Sequence, residues 1–267
     1  MDRLLDLRGT YQVRSRHVVH GPAVEFAGLP VIRCFGFDVH EPKPLRRRKI
    51  PGGTVKIVFA LDGTFEGRRI EPAPLVIGLH DRGGTAEHAG RMRSVQVQLE
   101  PLAARRLLGA PLHELRNGTA DLGEFLGPSA HELTARLAET TAWTDRFTLV
   151  AAALREWTAR AADPGDAAVA RAVRQLRRSA GVVSFTELAD ESGWSRRHFR
   201  RLFTEDVGLS PKGYGSLMRF SAALTALTAA PEADMSRVAS EFGYYDQAHL
   251  SRDFQRFAGA PPGRLIG

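Results

Sequence analysis

The chain has 267 residues, 43% of them hydrophobic, which suffices for cores of ordinary size and leaves room for two domains. Its formal charge of +7 is carried almost wholly by arginine and favours a polyanionic partner, nucleic acid being the commonest. Cys34 is the only cysteine, which excludes internal disulfides and an all-cysteine metal site, and no stretch approaches the ~18 uninterrupted apolar residues of a membrane span.

The opening Met1-Asp2-Arg3-Leu4-Leu5-Asp6 has acidic residues where a signal peptide needs a basic flank, so a cytoplasmic protein is expected. From about 10 to 100 the pattern is β-rich: Val31–Phe35, Thr54–Phe59, Leu75–Ile77 and Ser94–Leu99 are short apolar or alternating runs. Turn signals separate them at Pro51-Gly52-Gly53, Leu61-Asp62-Gly63-Thr64 and Asp81-Arg82-Gly83-Gly84. Short strands at this spacing predict a sandwich or a small cupin-like barrel. The basic run Arg46-Arg47-Arg48-Lys49 reads as a solvated loop, with a phosphate contact or an anionic effector site as the sharper alternatives. His17, His20, His40, His80 and His88 lack the cupin metal spacing, so no metal site is expected. Cys34, in a strand, reads as a small buried hydrophobe rather than a redox sensor.

After Pro101 the period changes. Leu133, Leu137, Phe147, Val150, Leu154 and Trp157 recur at three- and four-residue intervals, so 101–162 is expected to be helical. Asp163-Pro164-Gly165-Asp166 is a compact break and the natural linker. It divides a sensing or dimerisation domain, 1–163, from an all-helical domain, 167–267; the positive charge splits almost evenly between them and cannot locate the site. The first helix beyond the break buries Val169, Val173 and Leu176 and presents Arg171, Arg174, Arg177 and Arg178 elsewhere.

The last hundred residues repeat. Phe185, Leu188, Ala189 and Gly193 recur 50 positions later as Met235, Val238, Ala239 and Gly243. Phe199, Leu202 and Phe203 recur 51 positions later as Leu250, Asp253 and Phe254, and Gly208–Pro211 as Gly259–Pro262. Each unit reads as helix, tight turn, helix. Ser184 and Glu187 form a capping box, Gly193 suits a left-handed turn, and Ser195 caps a second helix that buries Phe199, Leu202 and Phe203. Asp234, Gly243 and Asp246 occupy the matching places in the second unit. Leu217, Phe220, Leu224 and Leu227 mark one long connecting helix. The fold predicted is α+β: a β-rich domain with a helical half, then an all-α domain with two helix-turn-helix units.

The outward faces of the second helices, about 195–204 and 246–257, carry the functional expectation. Arg196, Arg197, Arg200 and Arg201 face solvent on the first, and arginine bonds guanine O6 and N7 bidentately in the major groove. On the second, Gln247 suits adenine, Ala248 a thymine methyl, and Arg252 guanine or phosphate, beside His249 and Ser251. A rigid connector would let both helices enter successive major grooves, ~34 Å apart.

These residues resemble the AraC/XylS family of transcription regulators over about 167–264. The family's second unit appears as Val238-Ala239, Gly243-Tyr244, Asp246, Leu250 to Phe254 and Gly259 to Pro262, and its connector as Arg219-Phe220, Ala223-Leu224 and Leu227. The resemblance implies base contacts from Arg197, Arg200, Arg201, Gln247, Ala248, His249, Ser251 and Arg252. It also implies an operator in double-stranded DNA, RNA polymerase, a second copy of the chain and a small-molecule effector as partners. Pro262-Gly263-Arg264-Leu265 departs from the family's longer ending, which predicts a short last helix. The segment Ile50–Phe59 and the stretches Pro101–Ala103 and Leu107–Pro111 are similar to an effector-type domain found in some members.

No phosphate loop, nucleophile elbow, HExxH helix or nucleophile–base arrangement appears, so neither catalysis nor a cofactor is expected. A repair regulator of the Ada type, with methyl-transfer cysteines on the same module, is disfavoured by the single Cys34. A protein-interaction role for the N-terminal half stays open beside the sensor role. Activation or repression depends on where the site lies relative to a promoter.

Overall fold

The computed structural model describes residues 18–22, 26–65, 68–161 and 165–266. The opening Met1–Asp6, His17 and the first two linker residues, Asp163 and Pro164, lie outside them. Among the described residues seven strands form one antiparallel sheet: β1 (Val18–His20), β2 (Val31–Lys49), β3 (Val55–Phe65), β4 (Arg68–Ile70), β5 (Ala73–Ile77), β6 (Gly84–Leu99) and β7 (Thr119–Asp121). Their order is β1-β2-β6-β3-β5-β7, with β4 paired to β3. The period of two sorts the strands into faces: Val55, Ile57 and Phe59 of β3 and Val95 and Val97 of β6 are fully buried. That face lies under α3 (Ser129–Glu139) and α4 (Trp143–Arg160), which contribute Leu133, Leu137, Phe147, Val150 and Leu154. At Gly36 of β2 the first residue of α4 packs so closely that a Cβ would collide with the Trp143 ring. Arg146, buried below Trp143 with its guanidinium carbon 4.5 Å from the ring centre, donates Nε to the Leu137 carbonyl at 3.0 Å.

Three local expectations are corrected. The basic run 46–49 is not a loop: it is the last part of β2, paired with β6 through Arg48↔Thr85 and Lys49↔Gly84. Leu61–Thr64 lies inside β3, where Gly63 at φ 136° and a register shift between Ala60 and Asp62 make a bulge instead of a turn. The stretch read as helical, 101–162, also contains β7, whose Thr119–Asp121 pairs with β5. Around β7 lie α1 (Pro101–Leu108), a 3-10 turn at Leu112–Leu115 and α2 (Gly123–Leu126).

Cys34 is buried, and burial pushes its thiol far above the ordinary range, so it packs as a hydrophobe. Among the described residues no three His, Cys, Asp or Glu side chains gather as metal ligands would, and no helix is long and apolar enough to cross a membrane.

Beyond the break the chain is helical: α5 (Ala167–Arg178), α6 (Phe185–Ser192), α7 (Arg196–Val207), α8 (Pro211–Ala229), α9 (Met235–Glu241), α10 (Gln247–Ala258) and α11 (Pro262–Ile266), a short last helix. Asp166 starts α5 by accepting from the Ala168 and Val169 amides at 2.7 and 3.1 Å. Buried side chains of the sheet, of α1, α3 and α4 and of α5–α10 form one continuous apolar cluster. Polar contacts cross the same seam. Asp206 of α7 pairs with Arg105 of α1 at 3.3 Å, and Arg177 of α5 with Glu100 at 3.4 Å. The end of α10 is held by the loop before β6: the Gly83 amide donates to the Arg256 carbonyl at 2.8 Å and Arg256 Nε to the Asp81 carbonyl at 2.9 Å. Arg48 of β2 adds a bond to the Ala258 carbonyl at 3.0 Å.

Candidate nucleic-acid interface

Both helix-turn-helix units are built as the repeat predicts. Ser184 Oγ accepts from the Glu187 amide at 3.1 Å while Glu187 Oε2 accepts from the Ser184 amide at 3.0 Å, so α6 begins with both halves of a capping box. Leu188 and Ala189 face inward, and Gly193 at φ 74° makes the turn. Ser195 Oγ then accepts from the His198 amide at 3.3 Å and starts α7. In the second unit Val238 and Ala239 are buried, Gly243 turns at φ 69°, and Asp246 Oδ1 accepts from the His249 amide at 2.6 Å to start α10. Asp246→Ala is expected to destabilise the domain by ~1 kcal/mol and loosen the first turn of α10; a thermal melt and amide exchange of residues 247–249 check it.

On α7, Phe199 and Phe203 are fully buried, with Phe199 stacked on Phe185 at 6.1 Å. Leu202, expected inside, is only half-buried because it sits at the edge of that inward face. Arg196, Arg197, Arg200 and Arg201 are exposed as expected, but they do not all present free charge. Arg201 Nη1 bonds both carboxylate oxygens of Glu205, at 2.8 and 3.0 Å, and Arg196 lies 3.7 Å from Asp190. Among the described residues Arg197 and Arg200 have no ion pair, which leaves them the readiest donors on the helix. The arginines line an open groove of about 520 Å³ whose other walls are Phe185, Thr204, Glu205 and His113 of the 3-10 turn.

On α10 Leu250, Phe254 and Phe257 face inward and are fully buried. Gln247, Ala248 and Arg252 are exposed, while Ser251 and His249 are half-buried. His249 is occupied internally: its ring meets Tyr244 edge-on at 5.1 Å and its Nδ1 accepts from the Tyr245 amide at 3.4 Å. Asp253 is buried behind this face, and burial pushes its carboxyl above the ordinary range even with Arg219, Arg252 and Arg256 nearby.

Two exposed aromatics were not foreseen. Trp194 and Tyr245 each immediately precede the cap of the second helix of a unit, at positions 51 apart in the repeat, and are 48% and 93% exposed. Trp194 lies 4.7 Å from the His198 ring. The repeat register contained this signal, since an aromatic recurs at the residue before each cap. Connector residue Arg219 binds the two units together: its Nη2 donates to the Gly181 carbonyl at 2.9 Å while its guanidinium carbon lies 5.5 Å from the Tyr244 ring centre. The helix N-termini of α7 and α10 add partial positive charge beside these side chains, as suits a phosphate backbone.

Residues 188–266 match a family described as a helix-turn-helix domain, and residues 29–121 match a domain of unknown function, DUF6597. No curated protein sequence matches the chain. Among solved structures, the C-terminal domain of AraT, a response regulator from Geobacillus stearothermophilus, is similar at 20% identity over 39% of this chain and 87% of that one, with a TM-score of 0.36. ToxT from Vibrio cholerae is similar at 10% identity over 87% of this chain and 97% of that one, with a TM-score of 0.46. Its unsaturated fatty acid-bound form gives 9% identity over 96% and 97%, with a TM-score of 0.46. The match over residues 188–266 thus assigns a helix-turn-helix domain to the part of the chain that α6, α7, α9 and α10 build.

Proposed function

We propose that α7 and α10 enter two successive major grooves on one face of a DNA duplex and that the N-terminal half adjusts how they do so. One observation carries the reading: each helix starts from a side chain that accepts from the amide three residues on, buries an apolar pair at i and i+4 and presents a polar outward face, although the two sequences differ. On α7, Arg197 and Arg200 read bases, and Arg196 and Arg201 join once DNA displaces Asp190 and Glu205. On α10, Gln247, Ala248 and Arg252 read bases, with Ser251 at the margin and His249 holding the turn. Operator DNA is the primary partner; a second copy of the chain and RNA polymerase are the proteins it would meet at a promoter, in the cytoplasm.

A cavity of about 380 Å³ in the β-rich half favours a small-molecule sensor over a protein-interaction module for that half. The direct test is genome-wide recovery of DNA bound by the intact protein, followed by footprinting of the best site. The expected site is bipartite, with half-sites about 10 bp apart, and its affinity falls steeply with salt. A single uninterrupted half-site, or a flat salt response, would sink the two-groove reading.

A further inference from the structure

The face of the sheet opposite α3 and α4 is not solvent. Lys56, Val58 and Ala60 of β3, Leu75 and Ile77 of β5, and Met92, Ser94 and Gln96 of β6 line the 380 Å³ cavity. The segment 49–54 and the loop 80–82 close it from the sides. Among the described residues that line it, Lys49, Lys56 and Arg82 are cationic and none is a carboxylate, while most of the others are apolar. Two buried polar atoms in that wall, Thr54 Oγ1 and His80 Nε2, have no hydrogen-bond partner among the described residues. Burial, together with the charges of Lys56, Lys49 and Arg82, holds the His80 imidazole below its ordinary range, with Asp81 opposing. His80 is therefore a neutral hydrogen-bonding group inside a positive field.

Unpaired buried polar atoms are expensive, and positive charge at the edge of an apolar cavity favours a ligand that is anionic at one end and apolar along the rest. We propose that this cavity binds an organic anion with an apolar body, its anionic group held by Lys56, Arg82, Thr54 and His80, and that occupancy is transmitted to α10.

The transmission is local. Along the loop, His80 and Arg82 line the cavity, while Asp81 and Gly83 hold the end of α10. Asp81 is itself fixed by Arg116 and Asn117; burial alone would raise its carboxyl, but the bonds from Arg116 and Asn117 and the charge of Arg256 hold it below the ordinary range. It stays charged across neutral pH. On the other side of the cavity, Gly53 packs so closely on α8 that a Cβ there would collide with Met218. A ligand that shifts either wall therefore pushes on the second recognition helix or on the connector. Only this transmission rests on the proposed DNA-binding function; ligand binding does not.

The test uses the full chain and calorimetry with phenylalkyl and alkyl carboxylates of about six to ten carbons, each paired with its own primary amide, and inorganic phosphate as a bare-anion control. At least one carboxylate is expected to bind saturably and at least tenfold more tightly than its amide, with inorganic phosphate weaker still. Lys56→Met and, on the exposed loop where folding is not at risk, Arg82→Met are each expected to lower that affinity about tenfold. Amides binding as well as carboxylates, no carboxylate binding at all, or affinity unchanged in both variants would overturn the site. Operator affinity is then measured with the best carboxylate bound; a change of threefold or more is expected, and its loss in Gly83→Ala, whose Cβ would collide with the Phe257 carbonyl. Carboxylate binding with operator affinity unmoved would overturn the transmission alone. Carboxylate binding in a protein that never binds DNA would uphold the site and sink the regulator reading instead.

Discussion

Replacing Arg197 and Arg200 together with alanine is expected to lower operator affinity by about a hundredfold or more. Each arginine that bonds a guanine bidentately discriminates by ~1–3 kcal/mol, and a tenfold change in affinity is ~1.4 kcal/mol, so two such losses reach this range. The fold should not suffer. Both side chains are exposed, neither has an ion pair among the described residues, and alanine is the best helix former. Arg201→Ala should cost less, because DNA must first release Arg201 from Glu205, although a surface pair of this kind contributes only ~0.3–0.5 kcal/mol. Fluorescence anisotropy on the footprinted operator and on an unrelated duplex of equal length separates the roles. A loss confined to the operator marks base readers. An equal loss on both duplexes, with the salt slope reduced by ~0.9 for each arginine removed, would make them phosphate contacts and leave sequence reading to α10.

The helix-turn-helix units were legible because their information is local. Ser184, Glu187, Gly193, Ser195, Asp234, Gly243 and Asp246 each act within four residues of their own position, and every one takes the cap or turn its type demands. The N-terminal half is different. Arg46 to Lys49 belong to β2 because β6, some 40 positions away, pairs with them, and no local pattern in a basic run announces that ladder. Gly63 looked like a turn because a bulge and a turn both call for glycine's positive φ. The same limit applies at the seam. Asp81 and Arg256 are 175 positions apart, and nothing near either predicts their contact. The period of two puts Lys56, Val58 and Ala60 on the other face of β3 from Val55, Ile57 and Phe59; what covers that face and leaves a cavity there follows only from three dimensions. In the candidate site the local pattern carries more: Glu205 stands four residues after Arg201, and this pairing, visible in the sequence, lowers the free charge that the four outward arginines present.

The largest stability effect is expected from Phe220→Ala in the connector. Phe220 is fully buried, edge-on to Phe254 at 4.9 Å and 5.0 Å from Phe257, both on α10. Removing it leaves a cavity between connector and recognition helix, and buried Phe→Ala changes cost ~3–5 kcal/mol, a large part of the ~5–15 kcal/mol that holds a domain together. The loss should not be uniform. Around the first unit, Phe203 packs on Phe199 at 6.0 Å and on Tyr214 at 6.1 Å, aromatic contacts that do not involve Phe220. The second unit has Phe220 at the centre of its contact with α8, supplemented by Arg219 over Tyr244 and by the loop at Asp81 and Gly83. Amide exchange is therefore expected to accelerate first in α9 and α10 while α6 and α7 keep their protection, and footprinting should shrink from two half-sites to the one read by α7. If exchange instead rises equally in all six helices from α5 to α10, the two units unfold as one, and the continuous apolar cluster rather than the repeat sets the cooperative unit.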